Sequence, residues 1–256
     1  MAISSQSEFF NEIKKHPERF YIVHYSCQSL YDDNEGLSPR ITSIAVVHYA
    51  TDQAISFSTH SVAEELGISR NDVVARFDEI ETALLTNFFE FIRDRRDQYW
   101  VHWNMRNITY GFEHIEHRYR ALTHGNPPTI SVERRLNLND MLGQRFGSDY
   151  APHQKMINLI EMNGGRHRFF LTGPEEVAAF QNLEFIRMHQ SCLVKAEFFQ
   201  KVIKKVLQGK LKTKSSGFLH MSDRIFESRS IRAVGVVSST TGILSTINAG
   251  SRWLVG

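Results

Sequence analysis

"YWVHWNMRNITYGFEHIEHRYRAL", residues 99–122, is the stretch on which the fold turns. It opens with an aromatic and β-branched run, the composition of a buried strand. It passes through His102, Trp103 and Asn104 and closes as a helix-like run carrying His114, His117, Arg118 and Arg120. A buried strand feeding a helix is the basic unit of an α/β domain.

The residues upstream fit that reading. Ser5 or Ser7 can cap a helix through Lys15 that stops near Pro17. "RFYIVHYSCQS" reads as a buried strand, "LYDDNEGLSPR" as a polar connection, "ITSIAVVHYA" as a second strand and "AISFSTH" as a third. Tight connections between these three predict an antiparallel meander. In "ISRNDVVARFDEIETALLTNFFEFIRDRRDQ" the apolar positions fall at three- and four-residue steps, which predicts a long amphipathic helix capped by Ser69 or Asn71. Downstream, "HGNPPTIS" is a loop, and "RRLNLNDMLGQRFG" and "APHQKMINLIEMNGG" have helical spacing. The segment from Gly173 onward reads as two helices broken around Asn182 to Arg187. The polar stretch Lys210 to Gly217 is the expected boundary, dividing a domain over 1–209 from a tail over 210–256.

Composition bounds the function. The 256 residues are 41% hydrophobic and 23% charged, with a net charge of +2. That is the profile of a globular protein with material for a sizeable core. Nucleic-acid affinity would have to come from local clustering of positive charge, since the whole chain is nearly neutral. Cys27 and Cys192 form neither a disulfide framework nor a zinc spacing. Together with an N-terminus lacking a signal-peptide pattern, they lead to a cytoplasmic expectation.

From about Phe20 to Leu122, and more loosely to about residue 180, the chain resembles the DnaQ-like, or DEDD-type, 3′–5′ exonucleases of the RNase H-like superfamily. "RITSIAVVHY" matches that family's second strand, and "WVHWNMRN" resembles the fourth, which ends in His-Asn before an Asp. "LNLNDMLGQRFG" and "APHQKMINLIEMNGG" look like its later helices. The resemblance implies an α/β fold, a mixed sheet flanked by helices, followed by a smaller helical C-terminal region. It also implies two divalent metals held about 3.5–4 Å apart by converging carboxylates.

The acids that this chemistry needs are missing. On a strand, residues two apart share a face, so the family's Asp-x-Glu delivers two anionic ligands to one cleft. Here those places hold His24 and Ser26, and no Asp or Glu occurs between Arg19 and Asp32. The next motif offers Asn107 to Tyr110 where the family has its Asp. "TGPEEVAAF" supplies Glu175 or Glu176 for the last acid. His24, Ser26, His102, Asn104 and Asn107 thus read as the remnant of a nuclease site. The expected function is a catalytically degraded, exonuclease-like module that binds nucleic acid, a nucleotide or a protein partner, with no cofactor. The alternative is an active nuclease that uses Mg²⁺ or Mn²⁺ and displaced acids, with Glu113, Asp140 and Glu176 as candidates.

Other chemistries find less support. His24, His48, His102 and His114 lack a His-x-x-x-His pair with an adjacent glutamate. His114 and His117 stand three apart, which also describes a hydrogen-bonded helix face. Asp32, Asp33 and Glu35 read as a solvated turn, and Ser26–Cys27 has no nucleophile-elbow pattern. For nucleic acid, the candidates are Arg118 and Arg120, Arg166 and Arg168, and Lys201, Lys204 and Lys205, each cluster lying near aromatics that can stack on bases. The tail contributes a third reading. Residues 233–251 carry no charge and are bracketed by Arg232 and Arg252, a length that could just span a bilayer. Ser, Thr and Asn fill much of that run, which favours packing on the body; a membrane-associating effector is the other alternative.

Overall fold

A computed structural model of the chain describes residues 3–29, 38–106 and 108–214. The chain divides into two units, Met1–Leu211 and Lys212–Gly256, and the first carries the fold. Asn107 and the uncharged run 233–251 lie outside the described residues. Among those residues, no helix is long and apolar enough to cross a membrane.

The chain opens with α1, Gln6–Lys15. The Ser5 side chain accepts the Glu8 N–H while the Glu8 carboxylate reaches back to the Ser5 N–H, a reciprocal cap. Strands β1 (Phe20–Cys27), β2 (Ile41–His48) and β3 (Ala54–Ser58) follow, then α2 (Thr59–Glu65) and α3 (Phe77–Arg93). The chain returns through β4 (Tyr99–His102), α4 (Phe112–Thr123), β5 (Arg135–Asn137) and α5 (Leu138–Phe146). It ends in α6 (Lys155–Met162), α7 (Gly173–Gln181) and α8 (Phe185–Leu207).

The strands form one mixed five-stranded sheet in the order β3-β2-β1-β4-β5. β1 and β2 pair antiparallel, with Val23 opposite Val46, and β2 and β3 also pair antiparallel. β4 lies parallel to β1, and β5 parallel to β4. The expected meander and βα return are both present, and the α/β sheet flanked by eight helices is consistent with an RNase H-like exonuclease fold.

Two details differ from the sequence reading. Residues 135–137 form a fifth strand in a segment whose spacing predicts only helix. The long helix begins at Phe77, because Ser69 donates to the Asp72 carboxylate at 2.6 Å and the residues before Arg76 run as turns.

Alternation along β1 divides the core. Val23, Tyr25 and Cys27 join α3 and α4 on one face of the sheet. Phe20 and Ile22 pack on the other face with Cys192, Ala196 and Phe199 of α8. His24 and Ser26 continue that second row, so the remnant positions face α8.

Candidate functional site

A cleft of about 270 Å³ opens beside the end of β1. His24, Trp103, Asn104, Tyr110, Glu176 and Lys195 contribute to its lining. It adjoins a second hollow that shares Trp103, Asn104 and Met156 and runs to the start of α6.

The residues that replace the missing acids are held by neutral partners. The Tyr110 hydroxyl donates to the Tyr25 carbonyl at 3.1 Å and lies 3.2 Å from His24 Nδ1. With its proton committed to the carbonyl, that hydroxyl accepts from Nδ1–H, which leaves a lone pair on Nε2. His24 Nε2 is buried and has no hydrogen-bond partner. Burial first, and then the nearby Lys195 charge, holds the His24 ring well below the usual imidazole range, so it is neutral.

Ser26 Oγ donates to Glu176 Oε1 at 3.1 Å. The same oxygen accepts from Ser191 Oγ at 3.1 Å and from Lys195 Nζ at 2.6 Å. Lys195 is 3% exposed and sits with its ammonium 5.0 Å from the Phe170 ring centroid. A buried cation is therefore seated on the cleft's one carboxylate. Hard dications need several converging anionic oxygens, and this donor set does not fit them. Among the described residues, no group of three or more His, Cys, Asp or Glu is placed to hold a metal.

The other candidate acids are engaged elsewhere. Glu113 pairs with Arg135, which also takes Glu116 at 2.9 Å. Asp140 binds Arg106 and accepts from Asn137 Nδ2 at 2.9 Å. Neither lines the cleft, so Glu113, Asp140 and Glu176 are not brought together. His102 faces away from ligand chemistry. Its Nδ1 accepts the Met105 N–H at 3.2 Å, its ring packs edge-on against Phe112, and burial pushes its pKa down to about 3. Asn104 has a left-handed backbone, φ +53°, and its side-chain oxygen accepts from Asn139 at 3.0 Å and Asn137 at 3.3 Å. It fastens the loop after β4 to β5 and α5 and still borders the cleft.

The basic candidates separate by partner. Arg118 is taken up by Glu81 inside the core, and Arg120 pairs with Glu116 at 3.2 Å. Lys204 is neutralised by Asp52 at 2.6 Å. Lys205 donates to the neutral Asn163 carbonyl at 2.8 Å. Arg168 stacks on Phe169, Arg166 pairs with Glu161, and Arg166 and Lys201 line one hollow.

Sequence reasoning missed Lys195, Ser191, Tyr110 and Met156. Lys195 carried a usable signal. It lies between Cys192 and Phe199, on a face of the α8 helix that is otherwise buried and apolar, and a charge there needs an internal partner.

No protein-family model matches this chain, and no curated protein matches it. Among solved structures, the chain is similar to the crystal structure of the Aedes aegypti Nibbler EXO domain, at 11% identity and a TM-score of 0.33. The match covers 82% of this chain and 94% of that one.

Proposed function

We propose that this chain is an exonuclease-like domain that binds single-stranded nucleic acid without cleaving it, and that it needs no metal. One observation carries the reading: the Glu176 carboxylate is bonded to Lys195, Ser191 and Ser26. A dication entering the cleft would have to displace a buried ammonium and would meet neutral His24 and Ser26 where two anions are required. The cleft itself keeps the features of a strand-binding site, with Trp103, Tyr110 and Asn104 on its walls. The two cysteines are free and buried, and burial pushes both thiols up, which suits a reducing compartment such as the cytoplasm.

A fluorescently labelled single strand titrated with Mn²⁺ tests this. The strand is expected to stay full length at every Mn²⁺ concentration and to bind equally well with and without chelator. Shortening of the strand that stops with chelator, and also stops in Glu176→Gln, would establish the active nuclease instead. Gln keeps an acceptor for Ser26 and Ser191 while removing the charge, so loss of cleavage in that variant would report chemistry and not unfolding.

A further inference from the structure

Two basic clusters far apart in sequence meet beyond the cleft's Lys195 wall. The loop after α6 brings Arg166 and His167 to the exposed Lys201 on α8, around a hollow of about 300 Å³. Phe170 and Phe198 supply apolar walls. Gly164 and Gly165 form the turn at its rim with φ of +136° and +81°, conformations that side chains rarely adopt. A Cβ at Gly164 would meet nothing within 4 Å, so the backbone there is open to an incoming group.

The charges in this hollow are arranged to receive an anion. Lys201 has no partner among the described residues. Arg166 meets Glu161 through Nε at 2.8 Å, in a pair about half exposed on both sides, and its two Nη groups remain available. Such an exposed pair contributes little and exchanges readily. Lys205 reaches the Asn163 carbonyl at 2.8 Å, which fixes the glycine turn while leaving the ammonium's charge uncompensated. Glu197 is the opposing acid in the lining.

The hollow also touches the cleft. Phe170 lines the hollow, Lys195 lines the cleft, and the two side chains are in contact, with Nζ 5.0 Å from the ring centroid. A chain leaving the cleft between α6 and α8 therefore enters a pocket of cations and aromatic faces. That combination suits a strand with phosphates on one side and bases on the other.

We infer that this hollow is a phosphate subsite, in which Lys201 and Arg166 grip the backbone of a single strand whose neighbouring nucleotides lie in the cleft. The inference rests on the strand-binding reading above, and it names the anchor that this reading lacks.

The structure supplies an internal control. Lys201 and Lys204 sit on the same helix and carry the same charge, but Lys204 is held by Asp52 at 2.6 Å. Replacing either by Gln changes net charge equally. Binding of a short labelled oligothymidylate to the full chain is followed by anisotropy across a salt series. Lys201→Gln is expected to weaken binding roughly three- to tenfold at low salt and to flatten the salt slope by about 0.7, one single-strand phosphate contact. Lys204→Gln is expected to stay within about twofold, and Arg166→Gln to resemble Lys201→Gln. Equal losses at 201 and 204 would reduce the site to a diffuse field and overturn the subsite. So would competition by polyglutamate as effective as that by unlabelled strand. If the strand binds and Lys201→Gln has no effect, the subsite is wrong while the strand-binding reading stands. If the unaltered protein binds no strand, that reading falls as well.

Discussion

Acidification from pH 7 to about pH 5 is expected to remove about 4 kcal/mol of folding stability from two side chains, His102 and His114. Both are buried, and burial pushes the first down to about 3 and the second to about 4. His114 is held as one neutral tautomer. Its Nε2–H donates to the Pro39 carbonyl at 2.9 Å, and its Nδ1 accepts from the Tyr25 hydroxyl at 2.9 Å. The direction follows from proton counting. In the unfolded chain each imidazole titrates near its ordinary value of about 6.5, while the folded chain keeps it neutral. Below that pH the unfolded state takes up protons that the folded state refuses. Stability is therefore complete above about 6.5 and falls as pH drops toward the folded values. Each ring contributes about 2 kcal/mol at pH 5, and His24, also held neutral by burial, acts in the same direction. A domain is typically stable by only about 5–15 kcal/mol, so the loss brings it near its threshold. Urea unfolding at pH 7, 6 and 5 measures it. His102→Asn, which keeps an acceptor for the Met105 N–H but cannot titrate, should remove roughly half of the difference. Unfolding free energies that agree within about 1 kcal/mol at pH 7 and pH 5 would contradict the assignment.

Those histidines also mark where sequence stops being legible. The strands of the meander could be read because β1 and β2 are long apolar runs buried on both faces. The fifth strand could not. It has three residues, Arg135–Asn137, and pairs with β4 in parallel, so no hairpin turn announces it. Leu136, Leu138, Met141 and Leu142 then mimic helical spacing. α2 was hidden in the same way, since "AISFSTH" keeps alternating past Ser58, where the backbone has already turned into helix.

The candidate site divides along similar lines. That His24 and Ser26 share a face follows from strand period alone, and so does the loss of the paired acids. What fills the gap does not. Glu176 meets a lysine 19 residues further on, Arg135 gathers acids from 19 and 22 residues back, and Arg118 meets Glu81 from 37 residues away. Charge clusters in sequence show how many cations lie close together; only the tertiary partners show which remain free. By that criterion Lys201 remains available, whereas Arg118, read from its cluster as a nucleic-acid contact, is a core residue.

Removing the Arg118 guanidinium is accordingly expected to cost about 3–5 kcal/mol, far more than an average surface substitution. Glu81 has no solvent exposure, and its two oxygens face Arg118 Nε at 2.9 Å and Arg118 Nη2 in a fork-to-fork pair. Glu81 Oε1 also accepts the Ile41 N–H at 2.9 Å. One carboxylate thus ties α3 to α4 and to the start of β2. α4 begins after Gly111, whose N–H donates to the Tyr25 hydroxyl beside the cleft wall at Tyr110, so the pair also supports the site's geometry. Arg118→Met leaves Glu81 charged, buried and without its counter-ion, the costly case. Adding Glu81→Gln should restore most of the loss, because no charge remains buried and the amide oxygen can still accept from Ile41. Arg120→Met is the contrast on the same helix. Arg120 is 44% exposed in its pair with Glu116, and its removal should cost under about 1 kcal/mol. Urea denaturation of the three variants settles the order. If Arg118→Met unfolds like Arg120→Met, or if the double variant is no more stable than the single one, the pair is not what holds α4 in place.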